Sequence, residues 1–163
     1  MTPLAKGSKL FSMKIILLRH GTRNYGIGDI PLNEEGLQEA EELVTQLLPH
    51  DIKAIFSSPK LRCQMTVTPI ANRLGLEIQT MEELDQHLPN EEFADYRKRV
   101  QVAANKLEDF SQAEGAILAC SHSDWLAQAM ELVPSDISNP ENIFFQCAEF
   151  LVFQIKEGQW HKI

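Results

Sequence analysis

The sequence predicts an α/β fold, a three-layer α/β/α sandwich whose central sheet is mostly parallel. Three observations carry this. Short apolar runs rich in β-branched residues alternate with longer segments whose apolar residues recur at helical spacing. The run Ala116-Ile117-Leu118-Ala119-Cys120 is apolar throughout, as a strand buried on both faces must be. Several of these runs stop abruptly at polar or glycine-containing strings, where a strand would enter a loop.

Taken in order, Lys14-Ile15-Ile16-Leu17-Leu18 is the first strand, ended by Arg19-His20-Gly21. Asn33 can cap the next helix, in which Leu37, Ala40, Val44, Leu47 and Leu48 share a face and Glu34, Glu35, Glu41 and Glu42 take the other. Lys53-Ala54-Ile55-Phe56 is a second strand, stopped by Ser57-Ser58-Pro59. Pro59 suits the first turn of a helix running to Leu74, with Gly75 just past its end. Leu76-Glu77-Ile78-Gln79-Thr80 reads as a third strand. After a mixed segment to Asn90, Phe93, Tyr96, Val100, Ala103, Leu107 and Phe110 mark a long helix. The apolar strand 116–120 follows, and Ser121-His122-Ser123 opens a short helix through Trp125, Leu126 and Met130. A strand around Glu149 to Ile155 and a turn at Gly158 close the chain.

No repeat, low-complexity tract or linker interrupts this pattern, so residues 13–163 read as one domain. Residues 1–12 read as a tail that carries Lys6 and Lys9 without an apolar stretch, unlike a signal peptide, and Met13 is an alternative start. No apolar run approaches the roughly 20 residues a bilayer requires. The net charge of -8 argues against a nucleic-acid partner, but not against a small phosphorylated substrate, because a few converging arginines bind phosphate whatever the total charge. Three cysteines, an odd count without metal-like spacing, fit a reducing, cytoplasmic setting. Cys63, Cys120 and Cys147 read as buried small hydrophobes.

The chemistry collects beyond the C-terminal ends of the predicted strands, the edge where open α/β sheets bind ligands. Arg19 and His20, Arg62 after Ser57-Ser58-Pro59, and His122 after Ser121 all fall there. Singly, each has a bland reading: a structural histidine, or an arginine paired with a carboxylate. Jointly, they bring two guanidinium groups and two imidazoles to one rim. Guanidinium matches phosphate bidentately, helix N-termini add donors, and a neutral imidazole can attack phosphorus. A second histidine, if protonated, would steady the transferring group.

Leu17-Leu18-Arg19-His20-Gly21 resembles the signature of the histidine phosphatase superfamily, the phosphoglycerate mutase-like proteins. Asp29-Ile30-Pro31-Leu32-Asn33-Glu34-Glu35-Gly36 resembles the family's Pro-Leu-Thr-x-x-Gly segment. Ser57-Ser58-Pro59-Lys60-Leu61-Arg62 with Thr66 resembles its second arginine motif, and Ser121-His122 its second histidine. Pro89 to Phe93 and on through Arg99-Val100 is similar to the segment heading the long helix in many members. The resemblance implies that His20 is phosphorylated and that Arg19, Arg62 and His122 complete the phosphate pocket. It implies neither metal nor organic cofactor. The substrate would be a phosphorylated small molecule or a phosphoprotein, with no membrane partner; the oligomeric state stays open.

Two departures stand out. Thr22-Arg23 replaces the usual pair after the signature, and Arg23 is either a third cation of the pocket or a solvated side chain. Where many members carry a glutamate as proton donor, Leu84-Asp85-Gln86 places an amide that cannot donate a catalytic proton. Asp85, Glu83 and Asp124 are the substitute acids on offer, against the bland reading of Glu82, Glu83 and Asp85 as a solvated acidic run. The short bacterial phosphohistidine phosphatases, which the chain resembles in compact length, likewise lack the usual acid. The expectation is a phosphatase acting on phosphohistidine or another labile phosphoryl group. Rival readings are mutase-type phosphoryl transfer, for which the chain is short of lid-forming insertions, and a non-catalytic phospho-binding module. No cysteine has an arginine at the spacing a cysteine phosphatase needs, and no serine-hydrolase elbow or zinc grouping is present. Substrate choice is expected to lie in loops 22–30, 81–92 and 134–147.

Overall fold

The computed structural model describes residues 13–112 and 115–163; the expectation of a tail over residues 1–12 lies outside them. Six strands form one sheet: β1 (Lys14–Arg19), β2 (Ile52–Ser57), β3 (Ile78–Thr80), β4 (Ala116–Ser121), β5 (Phe150–Lys156) and β6 (Gln159–Lys162). They lie in the order β3-β2-β4-β1-β5-β6, with the first four parallel and the β5–β6 hairpin antiparallel at one edge. The predicted α/β architecture with a mostly parallel sheet is therefore present. Four helices cover it: α1 (Glu34–Leu47), α2 (Leu61–Leu74), α3 (Phe93–Phe110) and α4 (Ser123–Leu132).

The two-residue period of the strands sorts the core into two layers. From β1, Ile16 and Leu18 join Leu43 and Leu47 of α1 and Val67 and Ile70 of α2 on one face. Ile15 and Leu17 point the other way, to Tyr96, Val100 and Leu107 of α3 and Trp125 and Met130 of α4. β4 is buried along its whole length, as its composition requires.

This distribution creates the site. β1 and β4 are parallel neighbours, with Arg19 opposite Ser121. The chain leaves β1 for α1 on one face and leaves β4 for α4 on the other. Adjacent parallel strands whose connections part to opposite faces leave a crevice at their C-terminal ends. His20 and His122 are the next residue after each strand end.

Several local expectations are corrected. The closing segment is a hairpin, because Glu157 and Gly158 (φ 52° and 75°) make a tight two-residue turn and the chain returns as β6. Only Trp160 marks β6 as a strand; it is fully buried, and its indole N–H donates to Glu108 at 2.6 Å. Helix α2 begins at Leu61, so Pro59 lies ahead of the N-cap residue Lys60. The buried stripe of α1 is Gly36, Ala40, Leu43 and Leu47; Leu37 faces outward. Phe93 and Phe110 are half exposed at the two ends of α3, Phe110 stacking on Phe56 with centroids 4.7 Å apart. No described helix is long and apolar enough to cross a membrane.

Asn33 caps α1 as its sequence suggests, its side chain accepting from the Gly36 N–H at 2.9 Å. Gly36 matters for a further reason: a Cβ there would sit 2.1 Å from the Thr22 carbonyl oxygen. Helix α1 thus rests directly on the backbone of the loop leaving β1. Gly36→Ala should cost about 3 kcal/mol, as overpacking against unyielding backbone does. Thermal denaturation should show Tm falling on the order of 10 °C.

Candidate active site

The crevice is a cavity of about 490 Å³ lined by Arg19, His20, Thr22, Arg23, Tyr25, Arg62, Gln86, His122, Ser123, Asp124 and Cys147. Each of the three loops expected to set specificity contributes to it. The backbone beneath it extends the sheet: the His20 N–H donates to the Ser121 carbonyl at 3.1 Å, and the Ser58 N–H to the Cys120 carbonyl at 3.0 Å.

His20 is almost completely buried. Its Nδ1 lies 2.7 Å from the Gly21 carbonyl, which can only accept, so Nδ1 carries the proton. The lone pair is therefore on Nε2, to which Arg62 Nε donates at 3.3 Å. Burial, joined by the charges of Arg62, Arg19 and Arg23, pushes the His20 pKa down to about 4 even though the Gly21 bond opposes this. The imidazole is neutral at neutral pH. The Gly21 N–H itself donates to Thr66 Oγ1, which donates to the Arg62 carbonyl, so strand end and helix α2 are locked together.

His122 lies edge-on to His20, ring centroids 5.3 Å apart. Its Nε2 is 2.8 Å from Ser58 Oγ, which also accepts from the Lys60 N–H. Nε2 also lies 3.6 Å from Asp85 Oδ1, and Nδ1 is left without a hydrogen-bond partner among the described residues. Burial, then the charge of Arg62, holds the His122 pKa down at about 2. The second histidine, expected to be protonated, is thus neutral in this pocket.

Arg62, also buried, donates to Gln86 Oε1 at 2.6 Å. Arg19 donates to the Phe145 carbonyl at 2.8 Å and lies over the Phe144 ring. Arg23 donates to the Asn24 carbonyl at 3.1 Å and has no ion pair among the described residues. Its side chain lines the cavity together with Arg19 and Arg62.

Two of the three substitute acids, Glu83 and Asp85, do not line the cavity. The Glu83 carboxylate pairs with Lys106 at 2.9 Å and lines a separate surface depression beside Phe56 and Phe110. The Lys106 hydrogen bond holds its pKa below the usual carboxylate range. Asp85 is buried rather than solvated, bonded to Lys60 at 3.0 Å and to the Gln86 N–H at 2.8 Å, and stands behind His122 at 3.6 Å without lining the cavity. Asp124 does line it, with one oxygen on the His87 N–H and the other on the Trp125 N–H. The side chain at the glutamate position is Gln86, its oxygen spent on Arg62 and its NH₂ free. Cys63 and Cys120 are buried as expected; Cys147 is half-exposed at the pocket.

Three supporting residues escaped the sequence reading. Glu39 clamps the Thr22 N–H at 2.7 Å and hydroxyl at 2.9 Å. Ser58 orients His122. Arg99 donates to the carbonyls of Glu83, Asp85 and Gln86 while forking onto Glu91 at 2.7 Å. Glu39 falls in no motif the sequence offered, while Ser58 and Arg99 fall within motif strings that gave them no such role. Among the described residues, no three His, Cys, Asp or Glu side chains group as metal ligands.

Comparison with known proteins agrees with the resemblance. Residues 15–87 match the family model for the histidine phosphatase superfamily (branch 1). The 8-oxo-(d)GTP phosphatase of Mycolicibacterium smegmatis is 25% identical over 141 residues, covering 77% of this chain and 41% of that protein. The 2,3-bisphosphoglycerate-dependent phosphoglycerate mutase of Protochlamydia amoebophila is 38% identical over 61 residues, 33% of this chain and 27% of that protein. The chain thus spans well under half the length of these relatives. The alpha-ribazole phosphatase of Shigella flexneri superposes with a TM-score of 0.76 over 92% of this chain and 94% of its own, at 18% identity, a likeness of fold.

The two depressed imidazoles make a titration prediction. By NMR, the His20 ring should inflect near pH 4, against about 6.5 for an unperturbed imidazole. Because the unfolded chain binds more protons between these values, stability should fall as pH drops from about 6.5 towards 4. An inflection of His20 near 6.5 would contradict the pocket's electrostatics.

Proposed function

We propose that the chain is a member of the histidine phosphatase superfamily, whose model matches residues 15–87, and that it is a phosphatase working through a phosphohistidine on His20. The observation that supports this best is the His20 tautomer: a neutral ring, its proton held by Gly21, with the Nε2 lone pair accepting from Arg62 Nε beside a cavity lined by three arginines. A pure phosphate-binding module needs the cations but not that lone pair.

In the proposed reaction, Arg19, Arg62 and His122 surround the non-bridging oxygens of the phosphoryl group, where their donors match the spreading negative charge. Nε2 of His20 attacks phosphorus and the bond to the leaving oxygen breaks. Water then attacks the phosphohistidine, and the electron pair of the P–N bond returns to Nε2. Gln86 can donate a hydrogen bond to the leaving oxygen but not a proton. A general acid contributes roughly 100- to 10,000-fold to expulsion of an alkoxide. The site therefore suits leaving groups that depart unprotonated, such as those of phosphohistidine, acyl phosphates or activated esters, over sugar phosphates.

Incubation with radiolabelled substrate and an acid-free quench should trap an acid-labile phosphoenzyme in the wild type and none in His20→Ala. Turnover should favour a phosphohistidine peptide and p-nitrophenyl phosphate over glycerol phosphate, and a clear preference for glycerol phosphate would refute the leaving-group argument. Gln86→Glu restores a carboxyl group in the same place, with its oxygen still able to accept from Arg62. It should raise glycerol phosphate turnover at least tenfold while leaving p-nitrophenyl phosphate turnover within about threefold, because nitrophenolate needs no proton.

A further inference from the structure

Resting on that reading, we propose a narrower substrate class: the reacting phosphoryl group is the end of a phosphoanhydride, and Arg23 binds the phosphate that leaves. Two independent observations meet here.

The first is Arg23 itself. Its backbone is bridged to Leu32, and its neighbour Thr22 is clamped by Glu39, so the side chain springs from a fixed root. It reaches the same cavity as His20, Arg62 and His122. There it bonds only the Asn24 carbonyl and pairs with no carboxylate among the described residues, whereas Arg97 and Arg99 are each matched to a glutamate. In a chain of net charge -8, a cation left unmatched inside a pocket awaits an anion. Its charge is among those that depress His20 and His122. Arg19 and Arg62 already serve the reacting phosphoryl group, so Arg23 has room for a second one.

The second is Gln86, which denies the leaving group a proton. These two facts together select among the labile classes. A phosphoramidate such as phosphohistidine releases a neutral amine, which gives Arg23 nothing to hold. An acyl phosphate releases a carboxylate with one charge. A phosphoanhydride releases a phosphate dianion, which guanidinium binds through two parallel hydrogen bonds. Asp124, the carboxylate lining this cavity, has both oxygens engaged by backbone N–H groups.

The step balances without an acid. For an organic diphosphate trianion, Nε2 of neutral His20 forms the P–N bond as the bridging P–O bond breaks. The electron pair leaves on the oxygen of a phosphate monoester dianion, and the phosphohistidine carries the remaining negative charge. Water then adds to phosphorus, the P–N pair returns to Nε2, and both protons of the water stay with the departing dihydrogen phosphate.

ADP and AMP test this directly, since they share a base and ribose but differ in leaving group. Wild-type enzyme should release phosphate from ADP at least tenfold faster than from AMP, with AMP accumulating. Arg23→Ala should lower kcat/KM for ADP at least tenfold more than for p-nitrophenyl phosphate, chiefly through KM. Arg23→Lys, which keeps the charge and loses the fork, should fall between. Circular dichroism checks that both variants fold, and inorganic pyrophosphate shows whether the nucleoside is needed. His20-dependent turnover of p-nitrophenyl phosphate without turnover of either diphosphate overturns this proposal alone. So does an equal loss on ADP and p-nitrophenyl phosphate in Arg23→Ala. No turnover of any substrate overturns the phosphatase reading beneath it as well.

Discussion

The parallel pairing of β1 with β4 places everything that follows. Its register sets Arg19 beside Ser121, so the next residue on each strand is a histidine, and the two rings meet at 5.3 Å. The helices that follow depart to opposite faces, so nothing fills the space above the strand ends. Hydrogen bonds of the sheet type continue past the last strand residues, from His20 to Ser121 and from Ser58 to Cys120. His20 and His122 therefore stand at the ends of two paired strands, with apolar layers packed beneath them on both sides. A catalytic geometry on such a base loses little to motion.

The charge distribution is arranged against the chain's own average. An acidic protein concentrates Arg19, Arg23 and Arg62 in one cavity, where Asp124 is the one carboxylate among the lining residues described. Buried imidazoles beside guanidinium groups stay neutral, which leaves one with a lone pair and the other with a donor. Behind His122, the Asp85–Lys60 pair balances its own charge without entering the cavity. Arginines and neutral imidazoles thus line one cavity together.

Much of this was legible in the sequence, for identifiable reasons. Continuous apolar runs disclose buried parallel strands, and polar residues at their ends disclose the ligand edge, so Arg19, His20, Arg62 and His122 could be found. β6 could not, because a four-residue strand holding one apolar residue has no period to read. The roles of Glu39, Ser58 and Arg99 were equally silent, since each acts on a partner distant in sequence, and a polar side chain looks solvated until that partner is known. The acidic run at 82–85 misled in detail: three similar residues face solvent, a lysine and the protein interior respectively. Only the fold of the loop decides between such fates.

That loop is held in an unusual way. Arg99 grips residues 83, 85 and 86 through their carbonyl oxygens, atoms that every amino acid possesses. The path of the chain is therefore indifferent to which side chain occupies position 86. A scaffold anchored by its backbone can exchange a proton donor for an amide, or the reverse, without refolding. Under the proposed reaction, variation at this one position would retune which bonds are broken while His20 and the three arginines stay in place.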